Sequence, residues 1–168
     1  MTVLENSIRI NASPEDVWSV LGKLDALHEY DPGVTLAKIL DGAPAGVGAA
    51  RQCDLAPGGW FRERVTSWQP AETIGFELYE CALPVKSLRH TYTLEKAGDE
   101  TVVRQRMEYE LKFGPLGKVM DALMVRKKWD SGIKGFFVGL KRHVEEQAQA
   151  GGARASSSAG ANRSSPSR

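Results

Sequence analysis

Cysteine is scarce in this chain: Cys53 and Cys81 are the two in 168 residues, and no histidine or second cysteine stands near either in metal-ligand spacing. Two thiols build neither a disulfide framework nor a four-ligand zinc site, so no metal is expected. The sequence also lacks a phosphate-cradling glycine loop, a nucleophile elbow and a His-Glu zinc motif, and no cofactor is expected. Charge of one sign is in no excess, with 22 Lys+Arg against 21 Asp+Glu. That balance gives no reason to expect a nucleic acid as partner, even though Trp60, Phe61 and Trp68 alternate with Arg62 and Arg64. No run approaches the roughly 20 apolar residues of a membrane span. The opening Met1-Thr-Val-Leu-Glu-Asn-Ser-Ile-Arg9 lacks the basic-then-apolar order of a signal peptide. The expectation is a cytoplasmic protein without stable membrane insertion, its thiols reduced.

What is present suffices for one core, since 42% of the residues are hydrophobic and the length suits a single domain. Aliphatics beyond alanine and aromatics vanish after residue 146, where the chain turns to Ala, Ser, Gly, Arg, Gln and Asn. All 21 acids and 19 of the 22 basic residues fall in 1–146, so that stretch carries a net −2 and the remainder +3. The reading is a folded domain over 1–146 and a disordered tail over 147–168, because such a tail cannot bury enough apolar surface to offset its ordering entropy.

The first segment, Val3 to Asn11, reads as a strand. Ser13-Pro14-Glu15-Asp16 then sets an N-cap serine, a proline at the first helical position and acids where the helix dipole favours them. A helix follows with Val17, Trp18, Val20, Leu21 and Leu24 as its apolar face, then a second short helix over Asp25–Tyr30 that Asp31-Pro32-Gly33 stops. Strand-length segments come next at about 34–41, 47–56, 59–69, 73–81, 86–96 and 101–113, with joints too short for crossover helices, which argues for an antiparallel meander. In the last of them Val103, Met107, Tyr109, Leu111 and Phe113 alternate with charged residues. A long helix is read over Leu116–Glu146 from apolar residues at three- and four-residue steps. Gly132, Gly135 and Gly139 lie on its successive turns, either for close packing or to leave room beside a ligand.

Strand, two short helices, six antiparallel strands and a long C-terminal helix is the order of the helix-grip fold, an α+β architecture in which a curved seven-stranded antiparallel sheet wraps a long helix. The stretches Ile8-Arg-Ile-Asn-Ala-Ser-Pro-Glu-Asp-Val-Trp18, Gly46-Val-Gly-Ala-Ala-Arg51, Glu63-Arg-Val-Thr-Ser-Trp-Gln-Pro70 and Gly114-Pro-Leu-Gly117 resemble the START-like superfamily of the birch pollen allergen, in its polyketide cyclase/dehydrase (SRPBCC) branch. The resemblance covers about residues 3–146 and implies an apolar cavity between sheet and helix. Its motifs mark the scaffold better than the chemistry.

Taking the apolar parity of each strand as inward, the implied lining is Ala49, Arg51, Cys53 and Leu55; Phe61, Glu63 and Val65; Ile74, Phe76 and Leu78; Leu88, His90, Tyr92 and Leu94; and Val103, Gln105 and Met107. The last helix would add Met120, Leu123, Met124, Ile133, Phe136 and Phe137. Arg51, Glu63, His90 and Gln105 break the apolar set. An unpaired buried charge costs several kcal/mol, so these four pair with one another, stand at a wet mouth, or orient the polar end of a ligand. Arg51 and Glu63, on neighbouring strands, suit an ion pair across the ladder. His90 with Glu63 are the candidates for acid/base chemistry. His28 and Asp31 read as turn formers or mouth residues, and Arg126-Lys127-Lys128 as a solvated face or a basic rim.

The resemblance implies a monomer or weak homodimer that binds a small hydrophobic molecule such as a lipid, polyketide, isoprenoid or aromatic compound. A polyketide cyclase or dehydratase using His90 is the competing reading. A co-chaperone-like module with a protein in the groove is the third.

Overall fold

A computed structural model describes residues 1–40, 42–112, 114, 119 and 124–161, the last ten as backbone alone. The chain opens with β1 (Thr2–Ile10) and turns into α1 (Pro14–Leu21) through the start signal read from the sequence. Ser13 accepts from the Asp16 amide at 3.1 Å and the Asp16 carboxylate accepts from the Ser13 amide at 3.3 Å. This reciprocal box satisfies helix donors that would otherwise be orphaned, and it lets α1 bury Val17, Val20 and Leu21. In place of the expected second helix over 25–30 stands a single 3-10 turn, Leu27–Glu29. Asp31 ends it, its carboxylate accepting from the Gly33 amide at 2.8 Å. An aspartate that bonds the backbone two residues on closes a turn rather than extending a helix.

Six strands follow: β2 (Val34–Ile39), β3 (Ala50–Leu55), β4 (Trp60–Gln69), β5 (Thr73–Cys81), β6 (Val85–Ala97) and β7 (Glu100–Leu111). With β1 they form one antiparallel sheet in the order β1-β7-β6-β5-β4-β3-β2, so the meander is uninterrupted and β1 joins it beside β7. Register shifts interrupt the pairing at Thr35 in β2, Thr66 in β4, Tyr79 in β5 and Lys86 in β6. Bulges of this kind increase local twist and curve a sheet. The expected strands all form, most of them shorter than read because their ends sit in glycine- and proline-rich turns.

The final helix, α2 (Arg126–Ala161), follows a π turn at Met124–Val125. Most of the expected first turns, from 116 to 123, lie outside the described residues, and so do Met120, Leu123 and Phe113. The helix does not stop at Glu146, where the sequence reading begins a disordered tail; its backbone remains helical to Ala161. Gln147-Ala-Gln-Ala are strong helix formers, and Ala148 still packs on the core, so propagation costs little once the preceding turns are anchored. Residues 162–168 of that tail lie outside the described residues.

Two bonds tie α2 to the end of β1: Lys141 Nζ donates to the Arg9 carbonyl at 2.8 Å, and Glu145 accepts from the Asn11 amide at 2.7 Å. Its inner face, Ile133, Phe136, Phe137, Leu140 and Val144, is buried. At Gly139 the helix meets the Tyr30 carbonyl so closely that a Cβ there would stand 1.8 Å from the oxygen. Gly135 has Pro32 at van der Waals distance, whereas Gly132 faces open space. Close packing, against the 30–32 segment rather than the sheet, is therefore what Gly139 provides.

Candidate functional site

The register of the ladder assembles the polar cluster. Arg51 on β3 lies opposite Glu63 on β4, and Phe76 on β5 lies opposite His90 on β6. All four alternate in phase with buried apolar neighbours, so all point to the face that α2 covers. Arg51 donates through Nε to Glu63 Oε1 at 2.8 Å, its Nη2 stands 2.6 Å from the same oxygen, and Nη1 donates to the Leu24 carbonyl at 3.1 Å. The second carboxylate oxygen, Oε2, lies 2.8 Å from His90 Nε2. The His90 ring stacks on Phe76 at 5.0 Å and 18°, and the Arg51 guanidinium lies 4.7 Å from the same ring's centre.

Burial alone would push the Glu63 carboxyl up. The Arg51 cation and then His90 overcome it and bring the group down to about 2. Arg51 has the mirror situation: burial lowers its proton affinity, but Glu63 more than offsets that and holds it above the ordinary range. Glu63 is therefore a carboxylate in the folded protein, a poor general base and a fixed acceptor. Because it can only accept, the proton on His90 Nε2 is settled, and the imidazole is oriented by the carboxylate behind it. Its other nitrogen, Nδ1, is buried and without a partner among the described residues.

His90 stands at a boundary. On one side the inner face is filled: Tyr92 is 5.4 Å from Phe136 and 6.5 Å from Phe137, and Gln105 Nε2 donates to the Tyr92 hydroxyl at 2.9 Å. Burial raises the Tyr92 hydroxyl's affinity for its proton, keeping it a neutral phenol. On the other side Phe61, Leu78 and Met107 are only partly buried, as are Leu55, Leu83 and Leu111 around them. In the ladder Met107 lies opposite His90, and Leu78 is two residues on from Phe76, so these partly exposed apolar side chains make a patch on the inner face beside His90.

Most of the expected lining is brought together. Arg51, Cys53, Glu63, Phe76, His90, Tyr92, Gln105, Ile133 and Phe137 are buried, and Phe61, Leu78 and Met107 are partly buried against them. Met124 is not with them: at 74% exposed it points away from the interior, nine residues and so two and a half helical turns before buried Ile133. Met120 lies outside the described residues. The enclosed void expected between sheet and helix takes a different form, since Tyr92, Phe136 and Phe137 fill the half beneath α2. Two depressions mark the described surface: one of about 530 Å³ beside Asn6, Ser7, Thr91, Thr93, Arg104 and Gln105, and one of about 290 Å³ between α1 and α2. Neither is lined by Arg51, Glu63 or His90. His28 is exposed and Asp31 closes its turn, so both are turn residues; Arg126, Lys127 and Lys128 are all exposed.

Tyr30 is the member the sequence reading missed. It is 3% exposed, its ring 5.7 Å from Phe136, and burial lifts its hydroxyl well above the ordinary range. Leu27 and Tyr30 at a three-residue spacing are the available signal, but Tyr30 enters the sequence reading only as the last residue of the second short helix. The thiols divide in the same way. Cys53 is fully buried and burial pushes it up to about 12, whereas Cys81 is partly exposed. In the native protein one thiol, Cys81, is expected to react with Ellman's reagent and the other only after unfolding. Two thiols reacting at equal rates before unfolding would contradict this burial.

A family model described as polyketide cyclase / dehydrase and lipid transport matches residues 1–145. Among solved structures, a START superfamily protein from Mycobacterium smegmatis superposes with a TM-score of 0.73 at 17% identity, over 86% of this chain and 98% of that one. A protein from Thermus thermophilus gives 0.73 at 20% identity, over 85% and 97%. Ara h 8.0201 gives 0.69 at 13% identity, again over 85% and 97%. At such identities these likenesses concern the fold, which is the helix-grip architecture of the START and pollen-allergen proteins. No curated protein matches the chain in sequence.

Proposed function

Because the chain belongs to the polyketide cyclase / dehydrase and lipid transport family, we propose that it binds a small hydrophobic molecule, a lipid, polyketide, isoprenoid or aromatic compound, on the inner face of the sheet. The apolar body would lie against Phe61, Leu78 and Met107, and the polar end would meet His90. The observation that carries this reading is His90 Nδ1, buried without a partner among the described residues beside those partly exposed apolar side chains. A buried polar atom without a partner is uncommon in a folded protein and calls for a water, an ion or a ligand. Apolar walls with a few placed polar groups are the usual chemistry of a ligand site.

Native mass spectrometry of the freshly purified protein is expected to show a fraction carrying a small-molecule adduct that acid denaturation releases. The protein should also take up farnesol or palmitate in equilibrium dialysis. No adduct and no uptake of either probe would reject the binding reading.

A second reading is favoured by the Glu63–His90 pair, in which a carboxylate orients an imidazole whose far nitrogen is free to take or give a proton. That arrangement suits a cyclisation or dehydration of a polyketide-like substrate. His90→Gln separates the two. If His90 only orients a ligand, the variant weakens binding by about 1–2 kcal/mol, the scale of one buried hydrogen bond and its unpaired partner. If it is an acid/base, binding is nearly kept and conversion, followed by chromatography, falls by about 10²–10⁴.

A further inference from the structure

We propose that the polar end of the bound molecule is a hydroxyl, an alcohol or phenol, which donates a hydrogen bond to His90 Nδ1. This rests on the binding reading above and names the ligand chemistry that the same site accepts.

Hydrogen-bond capacity around the site decides this. Glu63 Oε1 is occupied by Arg51 Nε and Nη2, and Oε2 by His90 Nε2. A carboxylate has no hydrogen to give, so His90 Nε2 is the donor in that contact, and the neutral ring presents a lone pair at Nδ1. Arg51, within 2.8 Å, already supplies the counter-charge that Glu63 needs, so the carboxylate does not require an imidazolium as well. Glu63 carries one negative charge and Arg51 already balances it, so a second buried cation would leave the cluster with a net charge away from water. On the adjoining strand Gln105 spends Nε2 on the Tyr92 hydroxyl and leaves Oε1 buried and unpartnered among the described residues. His90 and Gln105 are 8% and 3% exposed, so water does not reach these atoms freely.

Asn6, opposite Gln105 on β1, leaves a donor, Nδ2, buried without a partner among the described residues, so Gln105 has a neighbouring donor and His90 Nδ1 is the acceptor left to a ligand. A ligand carboxylate or ketone has only acceptors to offer it, and an anion would also approach the Glu63 charge. A hydroxyl supplies the missing donor and is neutral, so it can be desolvated at modest cost. Specificity of this kind is strong because a ligand without the donor leaves the buried acceptor unpaired.

The test compares three probes on one skeleton with the full chain, by equilibrium dialysis: 2-naphthol, 2-methylnaphthalene and 2-naphthoate. The expected order places 2-naphthol about tenfold or more tighter than 2-methylnaphthalene, the worth of one buried hydrogen bond, with 2-naphthoate weakest. In His90→Phe the ratio of the 2-naphthol and 2-methylnaphthalene affinities should fall to about one. The proposal is overturned, with the binding reading intact, if all three bind and 2-naphthoate equals or exceeds 2-naphthol, or if 2-naphthol and 2-methylnaphthalene bind equally. A preference for 2-naphthol that survives in His90→Phe also overturns it. Should that variant fail to fold, as judged by circular dichroism, the wild-type order decides alone. If none of the probes binds, and dodecanol, dodecane and dodecanoate likewise do not, the hydrophobic-site reading itself falls and takes the proposal with it.

Discussion

Glu63→Gln is expected to cost the fold about 3–5 kcal/mol, a fall in Tm on the order of 10 °C for a domain of this size. The side chain barely changes in volume, so the loss is electrostatic. Arg51, 4% exposed, would keep its charge and its bond to the Leu24 carbonyl but lose its only ion-pair partner among the described residues. His90 would lose the acceptor for Nε2 at the same stroke. Removing one member of a buried pair is costly because the other is left charged in a place that cannot solvate it. Thermal and urea unfolding followed by circular dichroism measure this directly. Adding Arg51→Met to Glu63→Leu should recover a good part of the stability, since the stranded charge is then gone. No recovery would show that the loss came from packing and not from charge.

The same carboxylate sets an acid limit. Its folded value, about 2, lies below the 4.5 of an unperturbed glutamate, so the unfolded chain takes up the proton first as pH falls. The contribution is therefore complete above pH 4.5 and disappears as pH falls toward 2. It amounts to about 3 kcal/mol, taking 1.36 kcal/mol per pH unit. Wild type should lose urea resistance across that window more steeply than Glu63→Gln, which has no such group to titrate. Parallel slopes for the two proteins would mean that Glu63 is not depressed in the folded state.

The second large effect concerns glycine in α2, where one substitution has opposite signs at two sites. Gly139→Ala should destabilise by about 2 kcal/mol or more. Alanine favours a helix by about 1 kcal/mol, but its Cβ would stand 1.8 Å from the Tyr30 carbonyl oxygen and 3.0 Å from its carbon, both backbone atoms that cannot rotate aside. Relief requires α2 to lift or the 27–32 segment to shift, and either disturbs the Tyr30–Phe136 contact beneath. Gly132→Ala meets nothing within 4 Å and should stabilise by up to about 1 kcal/mol. Urea midpoints of the two variants moving the same way would contradict this placement of the helix.

The parity of β4 and β6 makes most of the candidate site legible from the sequence. Glu63 and His90 sit in phase with Val65, Tyr92 and Leu94, so an inward direction follows from the two-residue period alone. The period carries direction but not distance. Glu63 and His90 are 27 residues apart, and their 2.8 Å contact depends on β5 lying between β4 and β6, with Glu63 opposite Leu78 and His90 opposite Phe76. Met124 shows the converse failure: its apolar character reads as inward, but nine residues before Ile133 it stands on the opposite side of the helix from the buried face.

Local sequence suffices for the elements and their faces, because capping, turn chemistry and alternation act over a few residues and need no partner. Ser13 to Asp16 start a helix wherever it packs, and the alternation in β7 marks a wet and a dry side whatever the dry side meets. Which polar residues satisfy one another, and which are left over, depends on the assembled sheet and helix. That Arg51 spends itself on Glu63 and Leu24, that Glu63 fixes the His90 proton on Nε2, and that Nδ1 remains unpartnered are consequences of strand register and of α2 settling onto Tyr30 at Gly139. Hydrogen bonds and ion pairs fall away within an ångström or so of their optimum, so pairing between distant strands is fixed only when the whole sheet and its helix are in place.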